Sequence, residues 1–90
     1  MKIPEPEEIV QIEYKAERFR AIVNSVFPHA TKRGIHLLWL LVKPAIAVGE
    51  SVRLITDEGR FAPVRVLRIE NREQGRLIQI EAFEGERPNP

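Results

Sequence analysis

The stretch Ile35-His36-Leu37-Leu38-Trp39-Leu40-Leu41-Val42-Lys43, closed by Pro44, sets the fold class. A run of bulky apolar side chains ended by a residue that cannot donate to a central ladder reads as a strand followed by a loop. Downstream the punctuation is that of a β protein, with short apolar runs separated by turn signals. Ser51 to Thr56 alternates Val52, Leu54 and Thr56 with Ser51, Arg53 and Ile55, the period of a strand with one buried face. Asp57-Glu58-Gly59 is a hairpin signal, because glycine supplies the positive φ that tight turns need. In Phe61 to Ile69 the apolar set moves from Val64 and Val66 to Leu67 and Ile69, a change of parity that predicts a bulge and local curvature. Asn71 to Gly75 reads as the last hairpin loop. Beyond it Ile78, Ile80 and Ala82 alternate with Leu77, Gln79 and Glu81 in a half-buried final strand.

The first third admits two readings. Ile9, Ile12, Ala16, Phe19, Val23 and Val26 fall at helical spacing, while Phe19, Ala21 and Val23 also fall at strand spacing. Pro6-Glu7-Glu8 suits a helix start, with proline in the first turn and acids facing the macrodipole. Ile9-Val10 and Ile22-Val23 argue for strands, where β-branched side chains pack on a pleat.

Ninety residues, 43% hydrophobic and 30% charged, make one globular domain with a thin core. The absence of cysteine excludes a disulfide framework, a thiolate zinc site and a cysteine nucleophile, and suits a reducing compartment. Met1 to Glu8 carries prolines and glutamates where a secretory signal needs a basic stretch and then an apolar run. Leu37 to Val42 is far shorter than the roughly 20 apolar residues of a membrane helix. The expectation is a cytoplasmic protein with no membrane partner. Net charge is only +1, but residues 32–68 hold seven cations against three acids, which marks a candidate basic face.

Two segments resemble the second domain of elongation factor Tu and related translational GTPases, a small β-barrel. Phe19-Arg20-Ala21-Ile22-Val23-Asn24-Ser25-Val26-Phe27 resembles the family's opening strand. Arg33-Gly34, the strand Ile35 to Val42, and Ile46-Ala47-Val48-Gly49-Glu50-Ser51-Val52-Arg53-Leu54 resemble its Arg-Gly, long strand and glycine turn into the next strand. The resemblance spans roughly residues 19 to 84. It implies an all-β, closed six-stranded antiparallel barrel over 19–84, preceded over 1–18 by an arm or extra strand, for which a helix is the other reading, and followed by a tail over 85–90. Trp39 and Pro44 depart from the family, which usually has glycine at both places. In the translational GTPases this barrel leans on the GTPase domain and helps hold the acceptor end of aminoacyl-tRNA. The phosphate-binding Gly-x-x-x-x-Gly-Lys-Ser/Thr run is absent here, which argues against nucleotide hydrolysis.

No constellation for catalysis stands out. His29 and His36 lie seven apart with no second ligand pair at a zinc-like spacing. Ser25 and Ser51 lack the nucleophile elbow and a nearby base. Glu7-Glu8 and Asp57-Glu58 lie in a tail and a turn, not a cleft. The expectation is a nonenzymatic chain with no metal, cofactor or small-molecule ligand.

The apolar strand points to a different role. Alternation puts three of the residues 37–42 on each face, and a small barrel has one interior. If Leu38, Leu40 and Val42 line the core, then Leu37, Trp39 and Leu41 face out. Either residues 1–18 cover them, with Ile9, Val10, Ile12 and Tyr14 pairing or packing beside Phe19 to Val26, or a protein partner or second copy does. The leading expectation is a noncatalytic binding or assembly module docking through strand 35–42, with Leu37, Trp39 and Leu41 as contacts. The alternative is an RNA-contacting accessory using Arg53, Arg65 and Arg68 as phosphate contacts.

Overall fold

The structure, a computed structural model, describes residues 2–85, so most of the expected tail 85–90 lies outside the described residues. The described chain is all β: β1 Ile9–Tyr14, β2 Glu17–Pro28, β3 Ile35–Val42, β4 Ser51–Thr56, β5 Gly59–Arg60, β6 Val64–Arg65, β7 Arg68–Arg72 and β8 Gly75–Phe83. Every pairing is antiparallel.

The ambiguous first third is a hairpin. β1 and β2 pair from Ile9 opposite Ile22 to Tyr14 opposite Glu17, and no helix is seen among the described residues. A strand puts Val10, Ile12 and Tyr14 on one face, against Ala21 and Val23 of β2, and all five are buried. Helical spacing would have grouped Ile9 with Ile12, but here Ile9 faces out, 58% exposed. Three ladders, β1 with β2, β1 with β4 and β2 with β3, outweigh a helical pattern full of β-branched residues.

The strands run in the order β5-β4-β1-β2-β3-β8-β7, with β6 pairing β4. The expected six-stranded ring is therefore corrected: the sheet does not close into a barrel. The cause lies at the parity switch in Phe61 to Ile69. The segment pairs with β4 as β6, breaks at Val66-Leu67, and resumes on β8 as β7. Val66 N–H donates to Glu50 O at 2.9 Å, whereas Leu67 N–H donates to Gln79 O at 2.8 Å. Val64 and Ile69 pack on the core and Val66 is buried within it, but Leu67 faces out.

The inner face carries the core. Leu38, Leu40 and Val42 of β3 stand opposite Ile80, Ile78 and Arg76 of β8, and Val52 and Leu54 come in from β4. Leu38, Leu40, Ile78 and Ile80 are fully buried. β2 holds an extra residue between Val23, opposite Leu40, and Ser25, opposite Trp39. This bulge bends the long β2 so that its two ends serve different neighbours.

Candidate functional site

The outer face is where sequence and packing leave something unexplained. Because β3 alternates, Leu37, Trp39 and Leu41 project from the side opposite the core, and each is half-buried. Register then fixes their neighbours. Ile9, Ile22, Leu41 and Leu77 form one row across β1, β2, β3 and β8. Ser25, Trp39, Gln79 and Arg68 form the next row, and Phe27, Leu37 and Glu81 the one after. Leu77 is 4% exposed yet lies outside the core cluster, so it is buried on the outer face beside Leu41. Ile22 (39%), Phe27 (50%) and Phe83 (37%) stay exposed around β3. A hollow of about 240 Å³, lined by Phe19, Ile22, Leu41 and Lys43 among others, opens at the top of the apolar row.

The first strand pairs beside Phe19 to Ile22 as expected and adds Ile9 to the outer row, but it does not cover Trp39. Ile9 to Tyr14 pairs beside β2, but Val10, Ile12 and Tyr14 point into the core. The segment is a structural strand, and it leaves Trp39 to its own sheet neighbours.

The expected basic contacts are partly brought together. Arg65 stands opposite Ser51, so Arg53, two residues on along β4, is its diagonal neighbour by register, while the Arg65 guanidinium turns the other way, toward Gly49. Arg65 donates to Gly49 O at 2.8 Å. Arg68 lies across the break, opposite Gln79. Sequence reasoning missed Arg18 and Arg20, and counted Arg60 only among the seven cations of residues 32–68. Glu13 sits between Arg18 and Arg53 in one row, and Arg60 Nη2 donates to both its carboxylate oxygens, at 2.9 and 3.0 Å. Arg18 and Arg20 join Arg53 on the outer face only if β1 and β2 are strands, a placement the sequence left open.

A second polar cluster ties the β1–β2 turn to the loop before β4. Tyr14 Oη donates to Glu50 Oε2 at 2.5 Å, and Ala47 N–H donates to Glu50 Oε1 at 2.9 Å. Lys15 Nζ lies 3.9 Å from Glu50 Oε2 and 5.2 Å from the Tyr14 ring centre. The Tyr14 hydrogen bond, with the Ala47 amide behind it, holds the Glu50 carboxyl below its usual pKa. The same bond, with desolvation, raises the Tyr14 phenol. Tyr14 acts here as a hydrogen-bond donor to a carboxylate.

No family model, curated protein or solved structure matches this chain.

Of the two histidines, His29 holds a loop. His29 Nδ1 accepts the N–H groups of Thr31 and Lys32, both at 3.1 Å, and so caps the loop before β3. His36 is half-buried in β3, and its Nδ1 has no partner. Among the described residues no group of three or more His, Asp or Glu could hold a metal ion, and no helix is long and apolar enough to cross a membrane.

Proposed function

We propose that the chain is a noncatalytic binding or assembly module that docks a protein partner or its own copy through the outer face of β3. One observation carries the reading. Leu37, Trp39 and Leu41 stand on the face opposite a filled core, with Ile22, Phe27 and Phe83 exposed beside them. Contiguous apolar surface of this kind on a small domain marks an interaction site, and a tryptophan at its centre is the usual anchor. The resemblance of residues 19–84 to the second domain of elongation factor Tu belongs to the same proposal, since that domain packs on a neighbour.

Trp39 is the only tryptophan, so its emission reports this surface alone. Dilute protein should be quenched strongly by acrylamide and iodide, and protected when self-association or a partner covers the face. A strict monomer whose emission is quenched only weakly would end the reading.

A second reading, an RNA-contacting accessory, is favoured by Arg18 and Arg53 sharing one row across β2, β1 and β4, with Arg65 on the strand beyond. Fluorescence titration against tRNA and a random oligomer at two salt concentrations tests it, because phosphate contacts weaken steeply with salt. No salt-dependent binding at micromolar protein would remove it.

A further inference from the structure

The ladder between β2 and β3 ends at Ile22 opposite Leu41, while β2 continues back to Glu17 beside β1 and β3 stops at Val42. The hollow of about 240 Å³ opens where the two strands part. Its apolar lining comes from Ile22 and Leu41 of the outer face and from Phe19 and Val42 beside them. Gly75 leaves the Leu41 side chain room on the β8 side, since a Cβ there would stand 3.3 Å from Leu41 Cδ1. Two cations complete the lining. Arg20 and Lys43 each lie two residues beyond the last ladder pair, and both are exposed, with no ion-pair partner among the described residues. Asp57 shares the neighbouring hollow with Arg20, but no acid lines this one. Two residues of strand separate the cations from Ile22 and Leu41, roughly 7 Å at about 3.4 Å per residue.

We propose that this hollow binds the C-terminal residue of a protein partner, with an aliphatic side chain such as leucine against Ile22 and Leu41 and the terminal carboxylate held by Arg20 and Lys43. A carboxylate and a side chain that leave one Cα lie a single side-chain length apart, which matches the separation of the cations from the apolar pair. An internal acidic residue would bring chain on both sides into the same space. Pockets for drug-sized ligands run roughly 300–1,000 Å³, so this smaller one takes a single residue and leaves no room for the long tail of a lipid. Hydrogen bonds from arginine or lysine to a carboxylate are charge-assisted and strong, and the aliphatic group beside them keeps water away. The inference rests on the docking reading above. It names the part of the partner that docks and fixes the Lys43 end of β3 as the place that holds it.

Fluorescence anisotropy tests it, with the full chain titrated into a short polyalanine peptide that ends in leucine and carries its label at the N-terminus. Binding should saturate, and should weaken at least about tenfold when the terminal carboxylate is amidated, because a charged hydrogen bond is lost. Ending the peptide in glycine should weaken it by a similar factor, since the apolar contact is then missing. Lys43→Glu and Arg20→Glu, both at exposed positions, should melt as the wild type does and bring the ratio of free-acid to amide affinity toward one. A merely structural role for these residues would leave that ratio unchanged. The inference is overturned by a peptide that does not bind, by equal affinity for the acid and the amide, or by a ratio indifferent to both reversals. Octanoate that displaces the peptide more effectively than acetyl-leucine does would also overturn it and make the hollow a fatty-acid site. Trp39 quenching decides the docking reading separately. Strong quenching of Trp39 in a chain that ignores the peptide overturns this inference and leaves that reading standing for a partner held elsewhere on β3.

Discussion

Glu50 shows how one side chain joins two parts of the sheet. It accepts from Tyr14 at the end of β1 and from the Ala47 amide in the loop that Gly49, at φ 89°, allows to reverse. Because folding lowers the Glu50 pKa, its contribution to stability is complete above the unfolded value of about 4.3. That contribution is lost as pH falls through the lower folded value. Glu50→Gln should therefore flatten the acid limb of a melting temperature against pH curve below about pH 4.3, and Tyr14→Phe should do so in part. An unchanged acid limb in both variants would show that other carboxylates set it. The neighbouring turn carries a cost that glycine would remove. Lys15 and Ala16 hold φ values of 50° and 63°, a left-handed conformation that strains a side-chain-bearing residue by about 1–2 kcal/mol. Ala16→Gly should stabilise the protein by about 1 kcal/mol in urea unfolding, even after the entropy glycine adds to the unfolded chain. A loss of stability would mean that Ala16 makes a compensating contact.

At the scale of elements, β3 was legible as an apolar run closed by Pro44, and β4 because its alternation is strict. Leu38, Leu40, Val42, Val52 and Leu54 are buried as the pattern requires. The turn at Asp57-Glu58-Gly59 joins β4 to β5 with Gly59 at φ 138°, and the parity switch before Ile69 marks where the strand divides. β1 was not legible, because an apolar set such as Ile9, Ile12 and Ala16 satisfies a helical period until a pairing partner is known. The arginine row shared that obscurity: Arg18, Arg20 and Arg53 become neighbours only once the β1–β2 hairpin forms and β4 pairs with it from far along the sequence. The structure also reverses one expectation about β1. It supplies Val10, Ile12 and Tyr14 to the core, so deleting residues 1–14 should unfold the chain and not merely expose Trp39. Ile12→Ala, at a position 0% exposed, should cost about 2–5 kcal/mol. A truncated chain that melts cooperatively at the wild-type temperature would show that the remaining strands hold a core of their own.

Across the whole molecule, pairing is dense at one side of the sheet and sparse where the sheet fails to close. β3 is paired along all its 8 residues by β8 and for most of its length by β2. The other side depends on two-residue strands, β5 and β6, that pair with β4. Opening β6 releases two ladder pairs, Ser51 with Arg65 and Val52 with Val64, and the hydrogen bonds of Val66 and Gly49. Opening β3 breaks two full ladders and uncovers Leu38 and Leu40. The free energy of a local opening rises with the backbone hydrogen bonds it breaks and the apolar surface it brings into water. Native-state amide exchange should therefore be slowest in 37–42 and 77–82, at rates set by global unfolding, and fastest among the strands in β5 and β6. The rates in β5 and β6 should respond little to mild denaturant, because small openings expose little surface. Uniform protection through β3, β6 and β8 would show instead that the break at Val66-Leu67 does not divide the sheet, and that the 64–72 segment opens only with the whole fold.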